Sequence, residues 1–302
     1  MQRFGMWPDR SNTDLGREAG LAALRDAGLS FRAMIQSSSQ TTHPAWLEDA
    51  ILPAAFFALW ATRRMHERGT KPEHLAAIAA KNWNNGALNP MSQRQPERPV
   101  TVEKVLGSRM VAWPLTTMMS CPIGDGAAAA IVGRPEIARR LRPGRPVVRV
   151  AASELQTERY APGHLFVGPV VGPARMTTDT SRAVYEEAGI GPEELDLVQV
   201  HDAFAIEELE YYELLGLCGE GEAEAAIERG DFAPGGRVPV STDGGLIARG
   251  HPGGPTGLAQ IWETTLQLRG EAGRRQVENA RTGLCHMMGG GSVCVIHLLV
   301  RG

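Results

Sequence analysis

The spacing of apolar and polar positions predicts a mostly helical first part of the chain. In the first predicted helix, small apolar residues share one face, Thr13 or Asn12 can cap the beginning, and Gly28 ends it. The second predicted helix is apolar until it ends in arginine and histidine, which suit the negative end of a helix dipole. Helices are predicted over residues 13–28, 51–68, 71–83 and 101–106.

Two polar stretches separate these helices, and the rest of the chain changes character. Residues 36–44 and 84–99 are rich in polar residues and proline, and they predict loops, the first of them without a strand. After residue 126 apolar runs typical of buried strands alternate with helical periodicity, which indicates an α/β protein. Strands are predicted over 127–132, 147–150, 195–200, 284–287 and 293–300, and helices over 177–188, 204–217 and 255–268.

Composition excludes several classes of protein. The chain has 302 residues, of which 43% are hydrophobic and 22% charged, which is ordinary for a soluble protein of one large or two smaller domains. A net charge of −3 gives no basic footprint for nucleic acid, and no apolar run is long enough for a membrane span. The four cysteines have no metal-ligand spacing, so we expect neither disulfides nor a metal site, and a cytoplasmic location.

His201 is the first candidate for chemistry. It follows an apolar strand and precedes Asp202, which is well placed to cap the next helix. The carboxyl end of a strand, where the chain turns into a helix, is where α/β proteins place their functional groups. Position alone leaves a second interpretation open, in which the histidine only stabilises the helix end.

His251 is the second candidate, and it is favoured over a bystander because glycines surround it. Gly244 and Gly245 precede it, and glycine allows backbone to approach a ligand closely. The next predicted helix begins just beyond, so its positive end lies at the same place. Two such histidines can polarise a carbonyl oxygen and move a proton beside it.

The other candidates are weaker. Gly289 and Gly290 lie between two strands, where backbone N–H groups can bind an oxyanion or simply form a tight hairpin. Tyr211 and Tyr212 follow His201 at a spacing that turns one inward and one outward, and Tyr211 is a possible proton donor. Packing is the favoured interpretation of Cys121, Cys285 and Cys294, whereas Cys218 ends a helix where it can be exposed, with nothing nearby to lower its pKa. A solvated helix end is favoured over a phosphate site for Arg63, Arg64, Arg68 and Lys71.

Several motifs together resemble the thiolase superfamily, and more narrowly its sterol-carrier-protein-X thiolase and lipid-transfer-protein branch. The second half carries the clearest of them, and shorter motifs in the middle agree with that branch's loop domain and return strand. In the second half the motifs lie at residues 197–204, 215–218, 243–245, 250–252 and 289–291. In the middle they lie at residues 69–70, 81–82, 88–90, 108–110 and 121–126.

The resemblance implies an α/β thiolase-like fold of two βαβαβαββ halves with an inserted loop domain, here with the first half shortened. It implies a homodimer that takes coenzyme A thioesters as substrate and holds no permanent cofactor, with a small OB-fold partner protein in some relatives. The domains then follow as a remnant of the N-terminal half (1–46), the CoA-binding loop domain (47–120), the return strand (121–145) and the C-terminal half (146–302).

The resemblance also assigns roles to residues. His201 resembles the residue that builds the thioester oxyanion hole, and His251 the one that activates the nucleophile and polarises the carbonyl. Gly289 and Gly290 resemble glycine-loop donors, and Gly244 and Gly245 are weak candidates for cofactor contacts. The family's second cysteine is replaced by Met287 or by its neighbour His286, a possible proton donor, and Ala203 stands where some relatives carry cysteine.

The family's nucleophilic cysteine has no counterpart here. It belongs between the equivalents of Ile35 and Trp46, where this chain has a serine, threonine and glutamine stretch. Since thiolysis needs a thiolate, we expect a retro-aldol or retro-Claisen cleavage of a lipid or steroid side-chain acyl-CoA that uses two histidines. The alternatives are a non-catalytic acyl-CoA or lipid-binding subunit, and a truncated, inactive thiolase.

Overall fold

The computed structural model describes residues 4–5, 7, 9–10, 12–27, 36–40, 51–157, 174–289 and 293–302. Its helices are α1 (Asn12–Ala27), α2 (Ile51–Arg68), α3 (Pro72–Ala87), α4 (Val102–Leu106), α5 (Pro135–Leu141), α6 (Ala174–Ala188), α7 (Ala205–Leu214), α8 (Ala223–Arg229), α9 (Gly245–Arg249) and α10 (Thr256–Arg269). Its strands are β1 (Gln36–Gln40), β2 (Met110–Ala112), β3 (Leu115–Thr116), β4 (Gly126–Ala130), β5 (Val148–Thr157), β6 (Leu197–Gln199), β7 (Thr282–Gly289) and β8 (Val293–Arg301).

The second half is built on a four-stranded mixed sheet with the order β5-β8-β7-β6. β8 pairs antiparallel with both β5 and β7, whereas β6 runs parallel to β7. The main hydrophobic core joins buried residues of α2 and α3 with those of α7 and this sheet. Because β6 ends at Gln199, two residues before His201, that histidine lies at the carboxyl edge of the sheet.

The first half contributes an antiparallel pair of strands, β1 and β4. This corrects the predicted loop over residues 36–40, and its residues 41–44 lie outside the described part of the chain. Ser38 of β1 lies opposite Ala128 of β4. Serine and glutamine favour strands weakly, so the pairing depends on a partner strand about 90 residues away that no local pattern reveals. α10 contacts β4 on one side and β7 on the other, so it forms a layer between the two sheets.

Other boundaries differ from the predicted ones. α3 continues to Ala87 because its asparagines bond to distant backbone: Asn84 Nδ2 donates to Val100 O and Asn85 Nδ2 to Ser241 O. β5 extends to Thr157, well past the predicted 147–150, since β8 supplies a partner along its length. The short helices α5, α8 and α9, of 7, 7 and 5 residues, were not predicted.

Arg64 is neither solvated nor free to hold a phosphate, contrary to both interpretations of that helix end. It is 5% exposed and bonded to three carboxylates of the second half: 3.0 Å to Glu210, 2.8 Å to Glu224, and a shorter contact to Glu213. Burial raises the pKa of Glu210 to about 7, against the opposing effect of the Arg64 cation. This cluster joins α2 to α7 and α8.

In the described part of the chain, no helix is long and apolar enough to cross a membrane.

The Arg64 cluster generates a stability prediction. Arg64→Met should lower the free energy of unfolding by about 3–5 kcal/mol, because it leaves buried carboxylates without their cation. Urea denaturation measures the change. The matched control is Arg63→Met on the same helix, which removes only an exposed pair with Glu67 and should cost at most ~1 kcal/mol. Equal losses in the two variants would show that the cluster contributes nothing special.

Candidate functional site

His201 is held by a carboxylate of the helix that follows it. Its Nδ1 lies 3.0 Å from Oε1 of Glu207, and its ring is almost fully buried. The other oxygen of Glu207 accepts a hydrogen bond of 3.1 Å from the backbone N–H of Phe204, the N-cap residue of α7. Glu207 therefore caps its own helix and fixes the first histidine at the same time.

The sequence suggested that Asp202 caps the helix after it. In the structure Glu207 caps that helix instead. Its carboxylate instead accepts from the backbone N–H groups of Leu246 (2.7 Å) and Ile247 (3.3 Å) in the first turn of α9. Burial first, and then the neighbouring Glu208, raise the pKa of Asp202 well above its ordinary value. Asp202 thus ties the first histidine motif to the glycine-rich segment that carries the second.

The glycines before His251 have a structural reason that the sequence did not reveal. Gly244 and Gly245 have φ values of +103° and +56°, in the region that favours glycine. A Cβ at Gly244 would lie 2.7 Å from the Cα of Gly86, and one at Gly245 would overlap the Asp202 carboxylate. Close packing, against backbone at Gly244 and against a side chain at Gly245, therefore accounts for both residues, and their predicted contact with a cofactor stays a prediction.

His251 has a defined tautomer. Its Nδ1 lies 2.9 Å from the hydroxyl of Thr256, and that hydroxyl donates its one proton to Pro252 O at 2.6 Å. Nδ1 must therefore carry the proton of the His251–Thr256 bond, which leaves Nε2 with a free lone pair. Burial lowers the pKa of His251 well below its ordinary value, helped by the charges of His201 and Arg249. The ring is neutral at pH 7 and can accept a proton.

The two histidines meet, although 50 positions separate them in the sequence. Their ring centroids lie 5.1 Å apart and their planes are nearly perpendicular, at 88°. His201 reaches this place from the end of β6, and His251 from the turn that leads into α10. A small substrate group between the Nε2 atoms could therefore exchange a proton with one ring while it hydrogen-bonds the other.

Tyr211 and His286, both predicted as possible proton donors, lie behind the first histidine. Tyr211 is buried, as is Tyr212, so neither faces outward as the helical spacing suggested. The Tyr211 hydroxyl donates to Glu207 at 3.3 Å, and its ring lies 4.3 Å from that of His286. Burial, and then His201, lower the pKa of His286 to about 3, so this ring is neutral too.

The glycine loop is described only in part. Gly289 is the exposed last residue of β7 and lies opposite Val293 of β8. Gly290, the second predicted oxyanion donor, lies outside the described residues. The role of both glycines stays a prediction.

The thiols supply no nucleophile. Burial is the largest cause in each case, and it raises the pKa of every cysteine far above neutral pH. Thiolates are the reactive form of cysteine, so the chain holds no activated thiol at pH 7. The pKa is raised to about 12 for Cys121, Cys218 and Cys285, and to about 11 for Cys294.

Two residues that the sequence interpretation missed complete the site. Glu207 was signalled by its place three residues after an N-cap, but Phe204 is not a residue type that marks a cap. Thr256 was signalled by its position in the first turn of α10, next to the predicted Pro255. Neither signal predicts that Glu207 lies within hydrogen-bond distance of His201, or Thr256 within that distance of His251.

Comparisons with known proteins agree with this fold. The family model "Thiolase C-terminal domain-like" matches residues 172–299. Sterol carrier protein 2 of Rattus norvegicus is 41% identical over 239 residues, which make up 79% of this chain and 43% of that protein. Benzoylsuccinyl-CoA thiolase subunit BbsB of Thauera aromatica is 40% identical over 236 residues, 78% of this chain and 60% of that protein. The chain thus spans about half the length of these relatives.

A solved structure described as an Ltp2-ChsH2(DUF35) aldolase superposes with a TM-score of 0.85 over 99% of this chain and 95% of that one. At 22% identity this likeness shows the fold alone. The fold is that of a thiolase-like α/β protein. The sequence matches go further: residues 172–299 belong to the thiolase C-terminal domain family, and the chain is homologous to sterol carrier protein 2 and to a thiolase subunit.

The Asp202 cap predicts a severe effect at Gly245. Gly245→Ala should lose the ~1–2 kcal/mol that any left-handed alanine costs, and a further ~1–3 kcal/mol from overlap with the Asp202 carboxylate. Gly270→Ala is the matched control, because Gly270 has φ +76° and open space around its Cβ position. Urea denaturation of both variants isolates the overlap. Equal losses of unfolding free energy in the two variants would mean that the Asp202 carboxylate adds no steric cost at Gly245.

Proposed function

We propose that the protein is an acyl-CoA carbon–carbon lyase that cleaves β-hydroxyacyl-CoA by a retro-aldol reaction without a covalent intermediate. The observation that supports this most directly is the facing pair of His201 and His251 in a chain whose four cysteines are all protonated at neutral pH. Thiolysis requires a thiolate to accept the acyl group, whereas retro-aldol cleavage requires only a base and a stabilised enolate.

In the proposed reaction, Nε2 of His251 takes the proton of the β-hydroxyl group. The Cα–Cβ bond breaks, its electron pair passes to the α carbon and the thioester oxygen, and the β carbon leaves as a ketone or aldehyde. His201, protonated on Nε2, donates a hydrogen bond to the enolate oxygen while Glu207 balances its charge. The proton on His251 then returns to the α carbon, which yields the shortened acyl-CoA and restores the base.

The names of the relatives support an acyl-CoA substrate with a lipid or steroid side chain. One matched relative is called a sterol carrier protein and another a benzoylsuccinyl-CoA thiolase subunit, and the solved structure with this fold is called an aldolase. Of these three names, that of the thiolase subunit contains coenzyme A, and it supports the CoA part of the proposed substrate. Gly289 and Gly290 remain the proposed oxyanion donors.

We also infer a partner subunit. BbsB is named as a subunit, and the description of the solved structure pairs two protein names. A homodimer and a small OB-fold partner are both part of this proposal. Four free cysteines support a reducing compartment, the cytoplasm.

A second candidate function is a non-catalytic acyl-CoA or lipid-binding subunit. The name sterol carrier protein of a relative 41% identical to this chain favours it. It differs from the first in one measurable respect, because a binder holds acyl-CoA without changing it.

Turnover of CoA esters tests the proposal. The protein is incubated with linear and branched 3-hydroxyacyl-CoA, and separately with 3-oxoacyl-CoA plus free CoA, and products are quantified by chromatography. We expect ketone or aldehyde and shortened acyl-CoA from the first set only, and a loss of ~10²–10⁴-fold in kcat for His251→Ala, since general-base groups contribute that much.

Cysteine variants serve as the control. Cys121→Ser and Cys218→Ser alter the two thiols that are not fully buried and should leave the rate of cleavage unchanged. Thiolysis of 3-oxoacyl-CoA that disappears in Cys121→Ser would contradict the proposal and restore a thiolase mechanism. Binding of acyl-CoA with no turnover of either class would favour the second candidate.

A further inference from the structure

Glu207 occupies a place in the site that the resemblance to thiolases does not assign. It is 2% exposed, and both of its oxygens are used by neighbours. Oε1 lies 3.0 Å from His201 Nδ1 and 3.3 Å from the Tyr211 hydroxyl, while Oε2 accepts from Phe204 N at 3.1 Å. An ionised carboxylate only accepts hydrogen bonds, so all three neighbours must be donors.

This arrangement fixes the chemistry of the first histidine. Because Nδ1 of His201 donates to Glu207, the neutral ring carries its proton on Nδ1, and Nε2 is left to exchange protons. We propose that Glu207 is a positioning residue that holds His201 in this tautomer, so that Nε2 alone serves the reaction, and that Tyr211 holds the carboxylate in place. His251 reaches the same state by another route, through Thr256.

The support behind Glu207 is built into α7 and its surroundings. Tyr211 lies one helical turn after Glu207 and donates to it, so the carboxylate cannot rotate away without losing that bond. The Tyr211 ring packs at 4.3 Å from the His286 ring, and His286 Nε2 lies 3.4 Å from the Thr177 hydroxyl of α6. Burial, and then Glu207, raise the pKa of Tyr211 well above its ordinary value, so the phenol stays a donor.

The same helix offers a matched control. Glu208 and Tyr212 are the next residues along from Glu207 and Tyr211, and both are fully buried. Their side chains bond each other, and Glu208 also pairs with Lys81 at 2.6 Å. They form a glutamate–tyrosine pair of the same type that does not touch His201.

The tautomer of His201 is measured by ¹⁵N NMR on protein labelled in its eight histidines, with His201→Gln used to assign the signals. The spectra are recorded over a series of rising pH, up to the plateau where the ring signals no longer change. We expect an Nδ1-protonated ring in the unaltered protein. In Glu207→Gln the Phe204 N–H should still donate to the side-chain oxygen, so the amide N–H₂ faces His201. The amide then donates to His201 Nδ1, and the ring proton of His201 should move to Nε2.

The measurement of kcat depends on the proposed function, whereas the NMR measurement of the tautomer does not. In the proposed reaction His201 donates to the enolate oxygen as an imidazolium whose charge Glu207 balances, so Glu207→Gln leaves a neutral ring that is a weaker donor. We expect kcat to fall by up to ~10²–10³-fold, the loss that removal of an oxyanion donor causes, with KM little changed. Tyr211→Phe keeps the carboxylate and should lower kcat by a smaller factor. It also provides the test if Glu207→Gln does not fold. Glu208→Gln and Tyr212→Phe should leave the His201 signals unmoved.

The outcomes separate the two proposals. An Nε2-protonated His201 in the unaltered protein, or an unchanged tautomer in Glu207→Gln, overturns the role of Glu207. Cleavage that His251→Ala abolishes and Glu207→Gln leaves intact also overturns it, while the proposed function stands. A tautomer that switches as expected in a protein that cleaves no hydroxyacyl-CoA keeps the role of Glu207 and removes the proposed function.

Discussion

The buried carboxylate of Asp202 is the constraint on which the site depends. It lies next to His201 in the sequence, yet its bonds go to the first turn of α9, which leads to His251. Two motifs that are far apart in the chain are therefore held at one distance by a single side chain. The glycines of the second motif have no side chain because that carboxylate and the backbone of α3 occupy the space.

The electrostatics of the site suit proton transfer better than covalent catalysis. Burial keeps the thiols protonated and His251 neutral, because a low dielectric disfavours the charged form of every group. Glu207 has hydrogen-bond donors at both of its oxygens. One histidine is thus paired with a carboxylate and the other with a hydroxyl, so two chemically identical rings are held by different partners.

The sequence predicted features that depend on neighbouring residues, but it did not predict contacts between residues far apart in the chain. His201 and His251 were found because a strand end and a glycine turn are visible in a few neighbouring residues. The strand β1 was missed because its partner, β4, lies about 90 residues later. Arg64 was misinterpreted because its carboxylates are 146 to 160 positions away.

Asp202 shows a subtler failure. The expectation that it caps the next helix was sound as a local rule, since aspartate before a helix usually does so. It was wrong because Glu207, three residues into that helix, had already taken the same backbone N–H. Asp202 and Glu207 are both placed to accept from this donor, and their spacing in the sequence does not predict which of them does.

The four glutamates of α7 make the stability of the site depend on helices that take no part in its chemistry. They find partners on separate segments, among them Arg64 of α2, Lys81 and Asn82 of α3, and His201. An unpaired buried carboxylate costs several kcal/mol, so α7 is stable in the core only with α2 and α3 packed against it. A substitution on α2 or α3 that removes one of these cations therefore weakens the helix that holds His201, without touching either histidine. These glutamates are Glu207, Glu208, Glu210 and Glu213.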